Sequence, residues 1–172
     1  IEIAAGAGYD YASIRTTPVA RGEVVTPLAG DPAMVRRVVH RVADTGVQVL
    51  DVELARLRPD DEPDDYLAVF EAAAAVGARH VIGQLPDPDR TRATDRFGRL
   101  CDLALDFGLT VDLEFPSWSE TGDLGAAAAV VEAVGRANAG VLIDALHFFR
   151  SGSSPDDLSA LPKERVVVLT GF

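Results

Sequence analysis

Residues 139–152 read AGVLIDALHFFRSG, and this stretch decides the fold class of the chain. Its apolar first half has the composition of a buried strand and ends at Asp144, which is followed three residues later by His147. A second apolar run, over residues 109–113, ends in the same way at Glu114. In parallel α/β folds, functional side chains gather at the carboxyl ends of the strands. We therefore expect two strands to deliver carboxylates to one rim, as in a metal or acid–base site.

Strand-like and helix-like segments alternate along the rest of the chain. The predicted strands cover residues 11–16, 47–54, 80–85, 109–115, 139–145 and 165–170. Helical patterns fall between them, and the repeat of roughly 30 residues is the size of a βα unit. This alternation predicts a parallel sheet with helices outside it. Because no Gly-x-Gly-x-x-Gly or P-loop motif follows a predicted strand, a (β/α) barrel is favoured over a dinucleotide-binding fold.

The chain is short for a complete barrel of this type. A (β/α)8 TIM barrel typically takes about 250 residues, whereas this sequence has 172. It begins within a predicted helix over residues 1–8 and stops at the end of a predicted strand. The sequence therefore predicts one α/β domain over residues 1–172, an incomplete TIM barrel that lacks the first strand and the last βα region.

Composition and charge narrow the classes of function. The net charge of -11 disfavours nucleic acid as a partner, because phosphate binding needs clustered Lys and Arg. No apolar run approaches the length of a membrane span, so no membrane partner is expected. The one cysteine, Cys101, lies in a helical pattern. It predicts a buried thiol in a reducing compartment, and hence a cytoplasmic protein.

Five segments resemble the sugar phosphate isomerase/epimerase family, the xylose isomerase-like TIM barrels that include endonuclease IV. These segments are residues 1–10, 49–53 (VLDVE), 77–81, 111–115 (VDLEF) and 140–147 (GVLIDALH). The resemblance implies that Glu114 and Asp144, at the ends of successive strands, bind a divalent metal such as Mn, Mg, Co or Zn. It also implies that His147, in an Asp-x-x-His pattern, contacts the substrate.

The chain departs from the family pattern at its last strand. The family usually supplies a third ligand, often His, from the seventh strand and an acidic fourth ligand from the eighth. Here residues 166–172 read VVVLTGF, with no such residue, and no eighth strand is evident. Either the remaining ligands lie outside this chain or this member has lost the full site. An endonuclease function is disfavoured, because its histidine-rich zinc site does not fit a chain with three His and a charge of -11.

Other residues near the predicted rim are candidates for binding or catalysis. Glu53 ends a strand and could bind substrate or assist proton transfer, although a salt bridge with Arg15 or Arg56 explains it equally well. Arg150 and Arg15 could hold a carboxylate or phosphate group of the substrate. Trp118 could wall the pocket and stack on a sugar face.

Weaker candidates have simpler structural interpretations. His40 lies on an arginine-rich helix face and is expected to be solvated, whereas His80 opens a strand at the end opposite the rim. The acidic run 60–65 is typical of a solvated loop and helix start, with Asp64 as the expected N-cap. Asp112 points to the same side of its strand as the terminal carboxylate but lies lower.

These features predict a metal-dependent isomerase or epimerase acting on a sugar or a sugar-like polyol or keto substrate by proton transfer next to a carbonyl. Glu114, His147 and Glu53 are its expected catalytic residues, and a small sugar-like molecule is its expected partner. The nearest alternative is a dehydratase or other lyase, which begins with the same proton abstraction. A different class is a degenerate, non-catalytic homologue that binds a ligand or pairs with a second copy through exposed sheet edges.

Overall fold

Six parallel strands form one sheet in the computed structural model, which describes residues 1–19, 23–25 and 27–169. The strands lie side by side in chain order: β1 (Tyr11–Arg15), β2 (Gln48–Arg56), β3 (His80–Gln84), β4 (Thr110–Glu114), β5 (Ala139–Asp144) and β6 (Val166–Leu169). Consecutive parallel strands joined by helices make the incomplete TIM barrel that the sequence predicts. Thr170, the expected end of the last strand, lies outside the described residues.

Seven α-helices lie in the described part of the chain. They are α1 (Glu2–Gly6), α2 (Pro32–Thr45), α3 (Leu67–Ala75), α4 (Arg90–Leu105), α5 (Leu124–Val134), α6 (Ala145–Arg150) and α7 (Pro155–Ser159). Short 3₁₀ helices cover Pro63–Tyr66 and Lys163–Arg165. Among these residues, no helix is both long enough and apolar enough to cross a membrane.

The start and end of α2 follow from local sequence. The Asp31 side chain accepts hydrogen bonds from the backbone nitrogens of Ala33 and Met34 at 3.0 and 2.9 Å. It thereby satisfies two of the four amide groups that a helix leaves unpaired at its first turn. Gly46 ends the helix with a φ of 77°, a left-handed conformation that glycine adopts without steric cost.

The predicted N-cap at Asp64 is wrong. Instead, Glu62 and Asp65 form a reciprocal capping box around the 3₁₀ helix that precedes α3. The reason is Pro63, since a residue before proline is driven to an extended conformation, which is the conformation of an N-cap. Asp64 pairs with Arg99 at 3.2 Å on the surface, as expected for a solvated acidic run.

The main hydrophobic core lies between the sheet and the helices. It is made of β-branched and aliphatic residues from the strands and of one face of each long helix, for example Val52, Val81, Val111, Phe97 and Cys101, all fully buried. The opposite face of the sheet carries a smaller apolar cluster of Leu54, Ile82 and Leu142. This second face is the inner face of the barrel.

A buried polar layer lies on the inner face, towards the amino ends of the strands. Asp112 accepts a hydrogen bond from the Thr110 hydroxyl at 3.0 Å and lies 2.8 Å from Nδ1 of His80. Asp51 accepts a hydrogen bond from Ser13 in the same layer. The small apolar cluster lies beside these residues, since Ile82 is the register partner of Asp112 and Leu142 is that of Glu114. His80 opens β3 at its amino end and Asp112 lies two residues before the end of β4, so both lie below the predicted rim.

Candidate functional site

A row of three polar residues crosses β2, β3 and β4 where these strands end. Arg56 and Gln84 are partners in the β2–β3 register, and Gln84 and Glu114 follow the last pair of the β3–β4 register. Arg56 Nε donates to Gln84 Oε1 at 2.7 Å, and Gln84 Nε2 donates to Glu114 Oε2. The buried Gln84 amide therefore links a cation to a carboxylate and fixes the orientation of both.

Asp144 and His147 complete the centre of the site. Asp144 ends β5, and its Oδ1 accepts a hydrogen bond from the His147 backbone nitrogen at 3.0 Å, which caps α6. This first helical turn brings His147 Nε2 to 3.9 Å from Glu114 Oε1. The imidazole is only 7% exposed, and its Nδ1 atom has no hydrogen-bond partner among the described residues. A buried ring nitrogen without a partner is costly, whereas the other ring nitrogen, Nε2, faces Glu114 and the site.

Trp118 forms one wall of the site. It lies in the loop after β4, and its ring meets that of His147 edge-on, with centroids 4.6 Å apart. The indole is otherwise 70% exposed. This position is compatible with the predicted stacking on a sugar face, which stays a prediction.

The site concentrates negative charge in a partly desolvated place. Burial raises the pKa of Glu114 above its ordinary value, whereas the hydrogen bond from Gln84 and the nearby His147 lower it. The charges of Asp144 and Glu53 raise the Glu114 pKa further. A bound cation would relieve this repulsion.

The atoms left open at the two carboxylates suit a hard cation. Neither Glu114 Oε1 nor Asp144 Oδ2 accepts a hydrogen bond from any described residue. Carboxylate oxygens are the ligands that Mg²⁺ and Mn²⁺ prefer. However, no group of three or more His, Cys, Asp or Glu in the described ranges is arranged to hold a metal. Glu114 and Asp144 thus fit as part of a ligand set rather than as a complete one.

Three other predicted site residues lie apart from this centre. Glu53 is paired with Arg15 at 2.8 Å, so it forms one of the two salt bridges considered from the sequence. Arg15 is also paired with Glu23 at 3.0 Å. Arg150 is exposed in the last turn of α6 and forms no ion pair within the described chain. No hydrogen bond or ion pair joins these residues to Glu114, and their catalytic and substrate-binding roles stay predictions.

A groove of about 310 Å³ opens beside the carboxylates, across the ends of β2, β3 and β4. Its lining includes Arg56, Arg58, Gln84, Pro116 and Trp118. Two of these residues touch the central site, since Gln84 binds Glu114 and Trp118 packs on His147. Gln84 and Trp118 therefore lie between the groove and the central site, although Glu114, Asp144 and His147 are not among the residues that line the groove.

Sequence reasoning missed Gln84 entirely and considered Arg56 only as a salt-bridge partner. Each is a polar residue at the end of a largely apolar strand, the same signal that identified Glu114. That signal was present for Gln84, in the run VIGQL over residues 81–85. The contact between the two side chains depends on strand register, which a single sequence does not reveal.

Comparison with known proteins agrees with this architecture. The family model described as xylose isomerase-like TIM barrel matches residues 1–169. A search of curated protein sequences gave no match.

Solved structures show the same fold at low sequence identity. The chain superposes on the IolI protein with a bound zinc atom with a TM-score of 0.77 at 20% identity, over 96% of this chain and 63% of that one. It matches a D-psicose 3-epimerase with a TM-score of 0.69 at 17% identity, over 85% and 57% of the two chains. A probable 3-DHS dehydratase from Bacillus anthracis gives a TM-score of 0.72 at 14% identity, over 92% and 61%. The chain thus spans less than two thirds of each of these structures, and at such identities the likeness shows the fold alone.

Proposed function

Because this chain belongs to the xylose isomerase-like TIM barrel family, we propose that it catalyses the metal-dependent isomerisation or epimerisation of a sugar or a sugar-like polyol or keto substrate. One observation carries the proposal. Glu114, Asp144 and His147 converge at one end of the sheet, where Glu114 Oε1 and Asp144 Oδ2 accept no hydrogen bond from any described residue. The zinc-bound and epimerase structures of the same fold support it as analogies.

Glu114 and Asp144 would hold the divalent ion, with further ligands coming from outside this pair. The bound ion would supply Lewis acidity, polarising the carbonyl and the neighbouring hydroxyl of the substrate. The Asp144 side chain can serve both the helix and the ion, because only Oδ1 is used to cap α6.

Glu114 is the expected proton carrier. Gln84 donates to Oε2 and fixes the orientation of the carboxylate, so that Oε1 would contact the ion and the remaining lone pair of Oε2 would carry the proton. It would take the proton from the carbon next to the carbonyl and return it to a neighbouring position or to the other face. His147 would donate to or accept from a substrate hydroxyl and hold the reacting carbon over Glu114. The Glu53 carboxylate is engaged by Arg15 and would act at most on a more distant part of the substrate.

A dehydratase is the second candidate for this site. It would begin with the same proton abstraction by Glu114 and then expel a hydroxyl group, with His147 placed to protonate the leaving oxygen. The probable dehydratase among the solved structures shares the fold. The two reactions differ in their products, because isomerisation conserves the mass of the substrate whereas dehydration removes one water.

Proton exchange with solvent tests the proposed function directly. The protein would be incubated with a panel of keto sugars in D₂O and Mn²⁺, followed by NMR and mass spectrometry. We expect the parent protein to introduce deuterium at the carbon next to the carbonyl. The variants Glu114→Gln and Asp144→Asn should introduce none.

The matched control for this experiment is Asp31→Asn, which makes the same change at the N-cap of α2, outside the site. Asparagine caps helices about as well as aspartate, so both cap variants should fold. Exchange that persists in Glu114→Gln would contradict the assigned proton carrier. A protein that binds Mn²⁺ and the sugars without any exchange would instead be a binding homologue.

A further inference from the structure

Arg56 is a half-buried cation that lacks a carboxylate partner in the described part of the chain. Its Nε donates to Gln84 Oε1 at 2.7 Å and its Nη1 donates to the backbone oxygen of Val19 at 2.9 Å. Both acceptors are neutral, and Nη2 makes no hydrogen bond to a described residue. Charges withdrawn from water are normally paired, because an unpaired buried charge is costly.

A second guanidinium, that of Arg58, lies close enough to Arg56 to repel its charge. Burial and then the neighbouring charge of Arg58 lower the pKa of Arg56, against smaller opposing effects of Glu114 and Glu23. Arg58 is itself only loosely paired, with Asp61 at 3.4 Å on the surface. Two guanidinium groups therefore line the same groove, and no Asp or Glu is among the described residues that line it.

We infer that this groove binds an anionic group of the substrate, a carboxylate or a phosphate, on the free edge of the Arg56 guanidinium, with Arg58 adding charge and Trp118 covering the adjoining carbons. A guanidinium already fixed by two acceptors loses little side-chain entropy when it binds an anion. The identity of this anion as part of the substrate rests on the proposed function, whereas anion binding in the groove does not.

Gln84 couples the anion site to the proton carrier. Its Oε1 is held by Arg56 and its Nε2 donates to Glu114, so one planar amide sets the spacing between the two. A sugar acid or sugar phosphate anchored at Arg56 would extend past Gln84 towards Glu114 and His147. The inferred substrate is therefore an anionic sugar, either a sugar acid or a sugar phosphate, rather than any sugar-like molecule.

The two arginines considered for this role from the sequence are less suitable. The charge of Arg15 is offset by Glu53 and Glu23, which would compete with any incoming anion. Arg150 is exposed at the end of α6 and is not among the residues that line the groove. The structure moves the expected anion contact from these residues to Arg56.

Tryptophan fluorescence can test the inference without turnover, because Trp118 is the one tryptophan of the chain and lines the groove. The probes are three polyols with the same carbon skeleton, namely D-gluconate, D-sorbitol 6-phosphate and neutral D-sorbitol. Titrations would be made in EDTA at constant ionic strength, so that metal binding plays no part. We expect at least one anionic probe to bind about tenfold or more tightly than D-sorbitol, as one charge-assisted contact implies. Preference for gluconate would indicate a sugar acid, and preference for the phosphate would indicate a sugar phosphate.

Variants assign the discrimination to a residue. Arg56→Gln should bind the three probes with similar affinity, and Arg56→Lys should keep part of the preference, because it retains charge without the guanidinium fork. Arg37→Gln, which removes a charge from the exposed side of α2, should behave as the parent protein. Equal binding of all three probes by the parent protein would overturn the inference, even if Arg56→Gln fails to fold. Discrimination that survives in Arg56→Gln, or is lost in Arg150→Gln instead, would also overturn it.

The two proposals fail separately. If the parent protein shows no preference for anions but catalyses Mn²⁺-dependent exchange, the proposed reaction is retained and its substrate is neutral. Anion binding in EDTA by a protein that shows no exchange would leave the groove standing as a binding site.

Discussion

Replacing Gly140 with alanine tests whether the buried polar layer on the inner face stabilises the sheet. A Cβ atom at this position would overlap Oδ1 of Asp112 and lie 3.5 Å from the backbone oxygen of Arg165. Asp112 cannot rotate away freely, because His80 Nδ1 and the Thr110 hydroxyl hold its other oxygen at 2.8 and 3.0 Å. We expect Gly140→Ala to lower the free energy of unfolding by about 1–3 kcal/mol, as overpacking of a filled interior site does. That is a large share of the roughly 5–15 kcal/mol that stabilises a typical domain.

Urea unfolding followed by circular dichroism measures this cost. Gly98→Ala is the control, since Gly98 lies in α4 and its Cβ would meet Val134 of α5 at 3.5 Å, an ordinary packing contact. Alanine there should be neutral or stabilising by up to about 1 kcal/mol. In a chain that already carries Asp112→Ala, the overlap is gone, and Gly140→Ala should cost less than about 0.5 kcal/mol. Strictly additive costs in the double variant would refute the reasoning.

Three further predictions concern buried groups and the cap of α6. Burial raises the pKa of Asp51 to about 6 from its ordinary value of 3.8. Protonated Asp51 therefore contributes to the free energy of unfolding fully below pH 3.8, and this contribution is lost as the pH rises through about 6. Asp51→Asn should remove about 3 kcal/mol of this pH dependence. Urea unfolding of both proteins at several pH values in this range would measure the difference. Burial also raises the pKa of the Cys101 thiol to about 12. A disulfide reagent at pH 8 should therefore label Cys101 only as fast as the protein unfolds. Rapid labelling of the native chain would contradict this burial. Finally, Asp144→Ala should cost about 1 kcal/mol of stability through loss of the α6 cap, whereas Asp144→Asn should cost about 0.5 kcal/mol or less; equal costs would show that the cap is not the stabilising contact.

Local patterns were sufficient to predict the strands and several helix ends. The apolar runs that end at Glu114 and Asp144 are strands β4 and β5 in the structure. The Asp31-Pro32 pair begins α2 as expected, because an N-cap aspartate and an N1 proline act within one turn of helix. Such signals depend on neighbours in the sequence and survive folding unchanged.

The partners of the site residues could not be predicted in the same way. Whether Glu53 meets Arg15 or Arg56 depends on strand register, and Arg15 is the partner of Glu53 in the β1–β2 ladder. Arg56 is thereby left to Gln84, a contact across 28 residues of sequence. The strand predicted over residues 139–145 ends one residue earlier, at Asp144, and residues 145–150 form an unpredicted helix, α6, that turns His147 towards Glu114. These features depend on register and packing between elements rather than on composition.

Binding of Mn²⁺ measured by titration calorimetry tests the central claim most directly. The parent chain would be compared with Glu114→Gln, Asp144→Asn and the control Asp31→Asn. The proposed site predicts one ion bound per parent chain, the same in the control, and binding lost or strongly weakened in both site variants. A parent chain that binds no Mn²⁺ at millimolar concentration, or site variants that bind it as tightly as the parent, would contradict the assignment of Glu114 and Asp144 as metal ligands.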